Sequence, residues 1–147
     1  MDDKRKDDIY YVCTMIEYVA RATNNRRRDV IKKISRKNIE HQLKVAEVNH
    51  CLSYEQVSDE WIEQYEITTG DFDTVKECKY TIPSVNAIGR VYQQLVLTTA
   101  KVNEEAQAII DVFSSFISDE ISDFNSNVYY SSPDYLKCSY EEGVLLG

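Results

Sequence analysis

Apolar residues along this chain recur mostly at three- and four-residue intervals, the period of an α-helix with one buried face. Ile9, Val12, Cys13, Ile16, Val19 and Ala20 fall on one such face and predict a first helix over about 8–22. Asp7 and Asp8 at its start complement the helix dipole, and Asn24 and Asn25 end the pattern. Val30, Ile31 and Ile34 predict a short second helix, Ser35 a break, and Ile39, Leu43, Ala46 and Val48 a third helix. Asn49 to Leu52 reads as a connector. Ser53 with Gln56 then forms a capping box, in which side chains satisfy backbone N–H groups that a helix start leaves unpaired. Val57, Trp61, Ile62 and Tyr65 are the inward stripe of the helix that follows, with Asp59, Glu60 and Glu63 towards solvent.

Residues 66–83 are the one irregular stretch. Gly70 within the polar run from Thr68 to Asp73 marks a turn, and the alternation of Tyr80 and Ile82 predicts a short extended segment before Pro83. Ser84 is the expected N-cap of a fifth helix carrying Val85, Ile88, Val91, Tyr92, Leu95 and Val96, where Gly89 allows a neighbouring helix to come close. The pattern from Val102 to Phe124 predicts the longest helix, and Ser132-Pro133 followed by Gly143 frames a last short one. The prediction is an all-α fold: residues 1–147 as a single helical domain, a bundle of about six to seven helices with one loop around 66–83. Four Gly and two Pro in 147 residues agree with a few long elements and argue against a β-rich fold.

Charge adds a second pattern. Residues 1–50 carry 12 of the 17 Lys and Arg against 8 acids, a balance of +4, whereas residues 51–147 carry 5 against 17, a balance of −12. The net charge of −8 repels nucleic acid and anionic membranes overall, so any phosphate contact has to be local. Arg26, Arg27, Arg28, Lys32, Lys33, Arg36 and Lys37 are the candidate residues for binding nucleic acid or another anion. On a helix Arg28, Lys32 and Arg36 line one flank of the apolar face and Arg26, Lys33 and Lys37 the other, rather than forming one stripe, and Glu40 and Glu47 interrupt the would-be recognition helix of a helix-turn-helix. The alternative is a solvated, ion-paired helix face. This geometry favours an electrostatic contact with protein, either the acidic half of the same chain or that of its twin.

Cys13, Cys51, Cys78 and Cys138 form no Cys-x-x-Cys pair, and the basic start followed by apolar residues is spoiled as a signal peptide by Glu17, Arg21 and the early Asp residues. The expectation is a cytoplasmic protein with reduced, part-buried thiols and no membrane contact. His41 and His50 lack a second His or Cys one turn away, so no metal and no cofactor are predicted. His50 is expected to tie down the connector and Cys51 to belong to the core. No catalytic residue is assigned; an enzyme with a pocket near His50 and the Asp59 to Glu63 carboxylates remains an alternative. Eleven tyrosines include Tyr129, Tyr130, Tyr135 and Tyr140 near the end, a candidate partner interface or a set of rings capping the core.

Two runs, Tyr11-Val-Cys-Thr-Met-Ile-Glu17-Tyr-Val-Ala-Arg21 and Val48-Asn-His-Cys-Leu-Ser-Tyr-Glu-Gln-Val-Ser-Asp-Glu-Trp-Ile-Glu63, together with Ile82-Pro-Ser-Val and Ile117-Ser-Asp-Glu-Ile-Ser, resemble a family of small uncharacterised helical bacterial proteins. The first half is also similar to a bacterial domain of unknown function encoded near ADP-ribosyltransferase-like toxins. The resemblance implies a toxin–antitoxin or regulatory setting and transfers no functional residue. The function expected is a non-enzymatic interaction or regulatory module, antitoxin-like, binding a partner protein such as a toxin, or itself as a homo-oligomer. The alternatives are a nucleic-acid-binding regulator using residues 21–37 and the small helical enzyme.

Overall fold

A buried central helix organises the chain in the computed structural model, which describes residues 2–147. This helix, α1 (Asp3–Thr23), is followed by α2 (Arg27–Lys33), α3 (Arg36–Asn49), α4 (Tyr54–Gln64), α5 (Val85–Thr99), α6 (Glu105–Ser114), α7 (Phe116–Ser122) and α8 (Pro133–Glu142), with a 3-10 turn at Val128–Tyr130. The fold is an all-α bundle, as the periodicity predicts, with no strand among the described residues.

The first helix starts five residues earlier than its apolar stripe suggests, because Asp2 caps it by accepting from the Arg5 N–H. It is also enclosed on every side, not along one face: all positions from Tyr11 to Glu17 are buried. Helix α5 packs along it, with α2, α3 and α4 around the rest. Gly89 makes the α1–α5 contact close, since a Cβ there would lie 2.0 Å from Thr14 Oγ1. Among the described residues no helix is long and apolar enough to cross a membrane.

Two expectations about the second half need correction. The single helix over 102–124 is two helices, α6 and α7, broken at Ser115. Its hydroxyl accepts from the Ile117 N–H and donates to the Val112 carbonyl, the local competition with helix bonds that serine offers. Val102 to Glu104 lie before the first helical residue, with Val102 88% exposed and Asn103 left-handed at φ 62°. The segment around Tyr80 and Ile82 is not a strand, and both side chains are exposed. The loop is strapped to the end of α1 and to the chain after α7 instead: the Gly70 N–H donates to the Thr23 carbonyl and the Phe72 N–H to the Asn24 carbonyl, both at 2.8 Å, and the Lys79 N–H to Asn125 Oδ1 at 2.8 Å. A side chain at Gly70 would meet Asn25 Oδ1 at 2.4 Å. The caps at Ser53, Ser84 and Ser132 and the left-handed Gly143 beyond α8 stand where the sequence places them.

The cysteines are free, but only Cys13 is buried; Cys51, expected in the core, is exposed because it sits on the turn that reverses the chain between α3 and α4. Arg5 ties the start of α1 to the start of α6 by two parallel 2.9 Å bonds to the Glu105 carboxylate. Those bonds hold the Glu105 carboxyl below its ordinary value of 4.5.

Replacing Gly89 by Ala is expected to destabilise the protein by about 1–3 kcal/mol through overpacking against Thr14, read by urea unfolding. A gain in stability, the result helix propensity alone would give, would show that the two helices separate freely. Since the Glu105 carboxyl titrates lower folded than unfolded, its pairing stabilises the protein above the ordinary carboxylate value of 4.5 and is lost as pH falls through the folded value. The stability difference between the wild type and Arg5→Gln is therefore expected to be constant near about pH 6 and to shrink below about pH 4.5.

Candidate binding cleft

A cleft of about 600 Å³ opens where the first half of α1 meets the end of α3 and the starts of α4 and α5. Helix α1 supplies Tyr10 and Tyr11, α3 supplies Ala46 and Glu47, and Tyr54 opens α4. His50 follows α3 directly, so its imidazole reaches the Tyr11 ring edge to face at 5.8 Å. Tyr11 meets Tyr54 at 6.2 Å and Tyr18 meets Tyr54 at 5.9 Å, also edge to face, giving the wall a set of rings with fixed orientation.

Hydrogen bonds hold these rings. The Asn86 amide of α5 donates to the Tyr10 hydroxyl at 3.0 Å and to the Tyr54 hydroxyl at 2.8 Å, and the Tyr11 hydroxyl donates to the Asn49 carbonyl at 3.3 Å. The Arg90 guanidinium stacks 4.0 Å from the centre of the Tyr10 ring and donates to Gln93 Oε1 at 2.8 Å; Gln93 in turn donates to the Lys6 carbonyl. At the mouth Lys4 lies 2.9 Å from Asp8 and 3.7 Å from Glu47. Burial, with the neighbouring Tyr54 and Glu60, pushes the Tyr11 phenol up to about 12, so it stays protonated. The cleft therefore presents ordered rings, one stacked cation and carboxylates.

A pocket beside His50 matches the enzyme alternative in position only. Its carboxylates are Asp7, Asp8 and Glu47, whereas Asp59, Glu60 and Glu63 project from the outer face of α4. Among the described residues no group of three or more His, Cys, Asp and Glu side chains is placed to hold a metal ion.

The basic segment divides sharply. Arg27 is 1% exposed and forks onto Glu17, donating from Nε to Oε1 at 2.8 Å and from Nη2 to Oε2, while Arg21 reaches Glu17 Oε2 at 2.7 Å. Both guanidiniums lie over the Phe124 ring, at 4.8 Å for Arg21 and 5.9 Å for Arg27. Arg28 binds Asp119 of α7; Arg26 contacts the same carboxylate at 3.3 Å and stacks on Phe72 at 4.3 Å. Arg36 pairs with Glu40 at 3.1 Å. Arg27 shares the inward face of α2 with Val30, Ile31 and Ile34, which follow it by three, four and seven residues, and is buried there against Glu17. Among the described residues Lys32, Lys33 and Lys37 have no ion-pair partner, and all three are exposed.

The terminal tyrosines divide as well. Tyr129 packs edge to face against Phe124 at 5.9 Å and Tyr130 at 6.2 Å, Tyr135 donates to the Leu146 carbonyl at 2.7 Å, and Tyr140 is half-buried beside Asp111; Tyr130 is the most exposed of the four, at 85%. The cleft residues Tyr10, Tyr11, Glu47, Tyr54 and Arg90, and the Asn86 that binds two of the rings, carry no sequence signal that joins them, since α1, the adjacent pair α3 and α4, and α5 meet only in space. Glu17 did carry one: an acid inside a buried apolar run calls for a cation.

Replacing Glu17 by Gln leaves Arg27 buried without its counter-charge and is expected to destabilise the fold by about 3–5 kcal/mol in urea unfolding. Lys32→Ala, on the same basic segment but exposed, is expected to change stability by less than about 0.5 kcal/mol. Equal effects would contradict the division of the segment into core and surface.

No protein-family model, no curated protein and no solved structure matches the chain, so the functional reading rests on the geometry of these residues.

Proposed function

We propose that the protein is a non-catalytic interaction module that docks a basic partner protein on the side formed by the cleft and the outer face of α4. The observation that carries this reading is the position of an aromatic-walled cleft next to an acidic face with no cation of its own. Glu55, Asp59, Glu60 and Glu63 are exposed on α4, and among the described residues none of them is in an ion pair. The face borders the cleft, since Tyr54 belongs to both and the charge of Glu60 acts on Tyr11. Tyrosine suits such a surface because it adds large contact area with few rotatable bonds. The resemblance to proteins encoded beside ADP-ribosyltransferase-like toxins makes a toxin the first partner to test, with the protein acting as its antitoxin.

A phosphate-binding role is the second reading, and the exposed, unpaired Lys32, Lys33 and Lys37 favour it. Three lysines supply a weak, salt-sensitive contact, fewer than the seven basic residues of the sequence pattern.

The test is co-purification from the native host with nucleic acid retained, followed by reconstitution with the purified partner. Association is expected to slow about tenfold in a Glu55→Gln, Asp59→Asn, Glu63→Gln variant and to weaken as salt rises. A partner that binds the variant at an unchanged rate rules out the α4 face. Loss of binding in Lys32→Ala, Lys33→Ala, Lys37→Ala with retention in the α4 variant selects the phosphate reading.

A further inference from the structure

We infer that the cleft is the receptor for an arginine side chain of the docked partner, held between the tyrosine wall and the Asp7 and Glu47 carboxylates. The inference rests on the docking reading and names what enters the cleft. Its volume of about 600 Å³ falls within the range that holds small ligands and side chains, roughly 300–1,000 Å³.

Charge selects a cation. Three carboxylates, Asp7, Asp8 and Glu47, line the cleft against two cations, Lys4 and Arg90. Asp8 is taken up by Lys4 at 2.9 Å, but Glu47 makes only the longer 3.7 Å contact with that same lysine, and Asp7 has no ion-pair partner among the described residues. Two acids at the mouth therefore keep acceptor capacity. The neighbouring α4 face and the overall charge of −8 add to the attraction of a cation and oppose an anion.

Shape and chemistry select arginine among cations. The cleft already contains the contact in question, because Arg90 stacks 4.0 Å from the centre of the Tyr10 ring. A guanidinium is planar, weakly hydrated and able to lie on a ring while donating in its own plane to a carboxylate. An ammonium is more strongly hydrated and lacks that planar fork. The ring wall of Tyr11, Tyr54 and His50 is held by its own hydrogen bonds and edge-to-face contacts, so the site is ordered before a ligand arrives.

The test is an NMR titration of the isotope-labelled protein with an acetylated, amidated glycine peptide carrying one arginine, alongside peptides with citrulline or lysine at that position. The arginine peptide is expected to give saturable shifts centred on Ala46, His50 and Tyr54, with a Kd in about the millimolar range. Citrulline, which keeps the shape and loses the charge, is expected to bind at least about tenfold more weakly, and lysine less tightly than arginine. Asp7→Asn with Glu47→Gln, both exposed and outside the core, is expected to weaken the arginine peptide about tenfold with the folded spectrum retained. Absence of saturable shifts at the cleft, equal binding of citrulline, or indifference to the double variant each overturns the inference. Shifts confined to Glu55 to Glu63 overturn it while leaving the docking reading in place. If the natural partner binds the double variant normally and fails on the α4 variant, the same separation is made with the full complex.

Discussion

The ion pair between Glu17 and Arg27 constrains the rest of the structure. Both side chains are buried, at 0% and 1% exposure, and removing each ion from water costs several kcal/mol, so the pair persists only with its geometry satisfied. Arg27 meets both carboxylate oxygens, and Arg21 shares one of them. The link between α1 and α2 is only Asn24 to Arg26, with Asn24 in the left-handed conformation. A short link closed by a fixed pair sets the direction in which α2 leaves. That direction brings Arg26 and Arg28 to Asp119 on α7 and exposes the Thr23 and Asn24 carbonyls that Gly70 and Phe72 bind.

This network changes the meaning of the charge split along the chain. The first fifty residues are basic in sum, yet five of their arginines in 21–36 are held by acids of the same chain, one of them Asp119 in the acidic half. Those five arginines are consumed inside and along the bundle, while Lys32, Lys33 and Lys37 stay exposed. The acids of α4 have no such counterpart, so the surface is more one-signed there than the sequence balance suggests. An electrostatic contact between the two halves, anticipated from the arrangement of bases around α2, exists within the molecule at Asp119.

Helix periodicity made most of the bundle legible, because each amphipathic stripe reports a local property: Val57, Trp61 and Tyr65 are buried as their spacing requires. Serine caps were legible for the same reason, at Ser53, Ser84 and Ser132. The break at Ser115 was not, since Phe113 and Ile117 stay in helical register across it and both are buried. Nor was the cleft. Tyr10 and Asn86 are 76 residues apart and Tyr54 and Asn86 are 32 apart, and nothing in either local pattern points to the other. Arg27 is read as basic, yet its spacing to Val30, Ile31 and Ile34 already puts it on the buried face of α2; what that local pattern lacks is the counter-charge, Glu17, ten residues earlier on a different helix.

The close contact at Gly89 connects the core to the cleft. Gly89 lies three residues after Asn86 and one before Arg90, so the approach that its missing side chain permits against Thr14 also sets how near those two residues come to Tyr10, one turn earlier on α1. Tyr10 and Glu17 are seven residues apart, about 10 Å along the helix axis. One helix therefore carries the cleft wall on one side of Thr14 and the buried ion pair on the other, with the Gly89 contact between them. Movement of α1 relative to α5 would loosen the stacked Arg90 and the shared Asn86 amide together. The cleft's ring geometry is thus a consequence of core packing, whereas its carboxylates Asp7 and Glu47 are exposed and take no part in that packing.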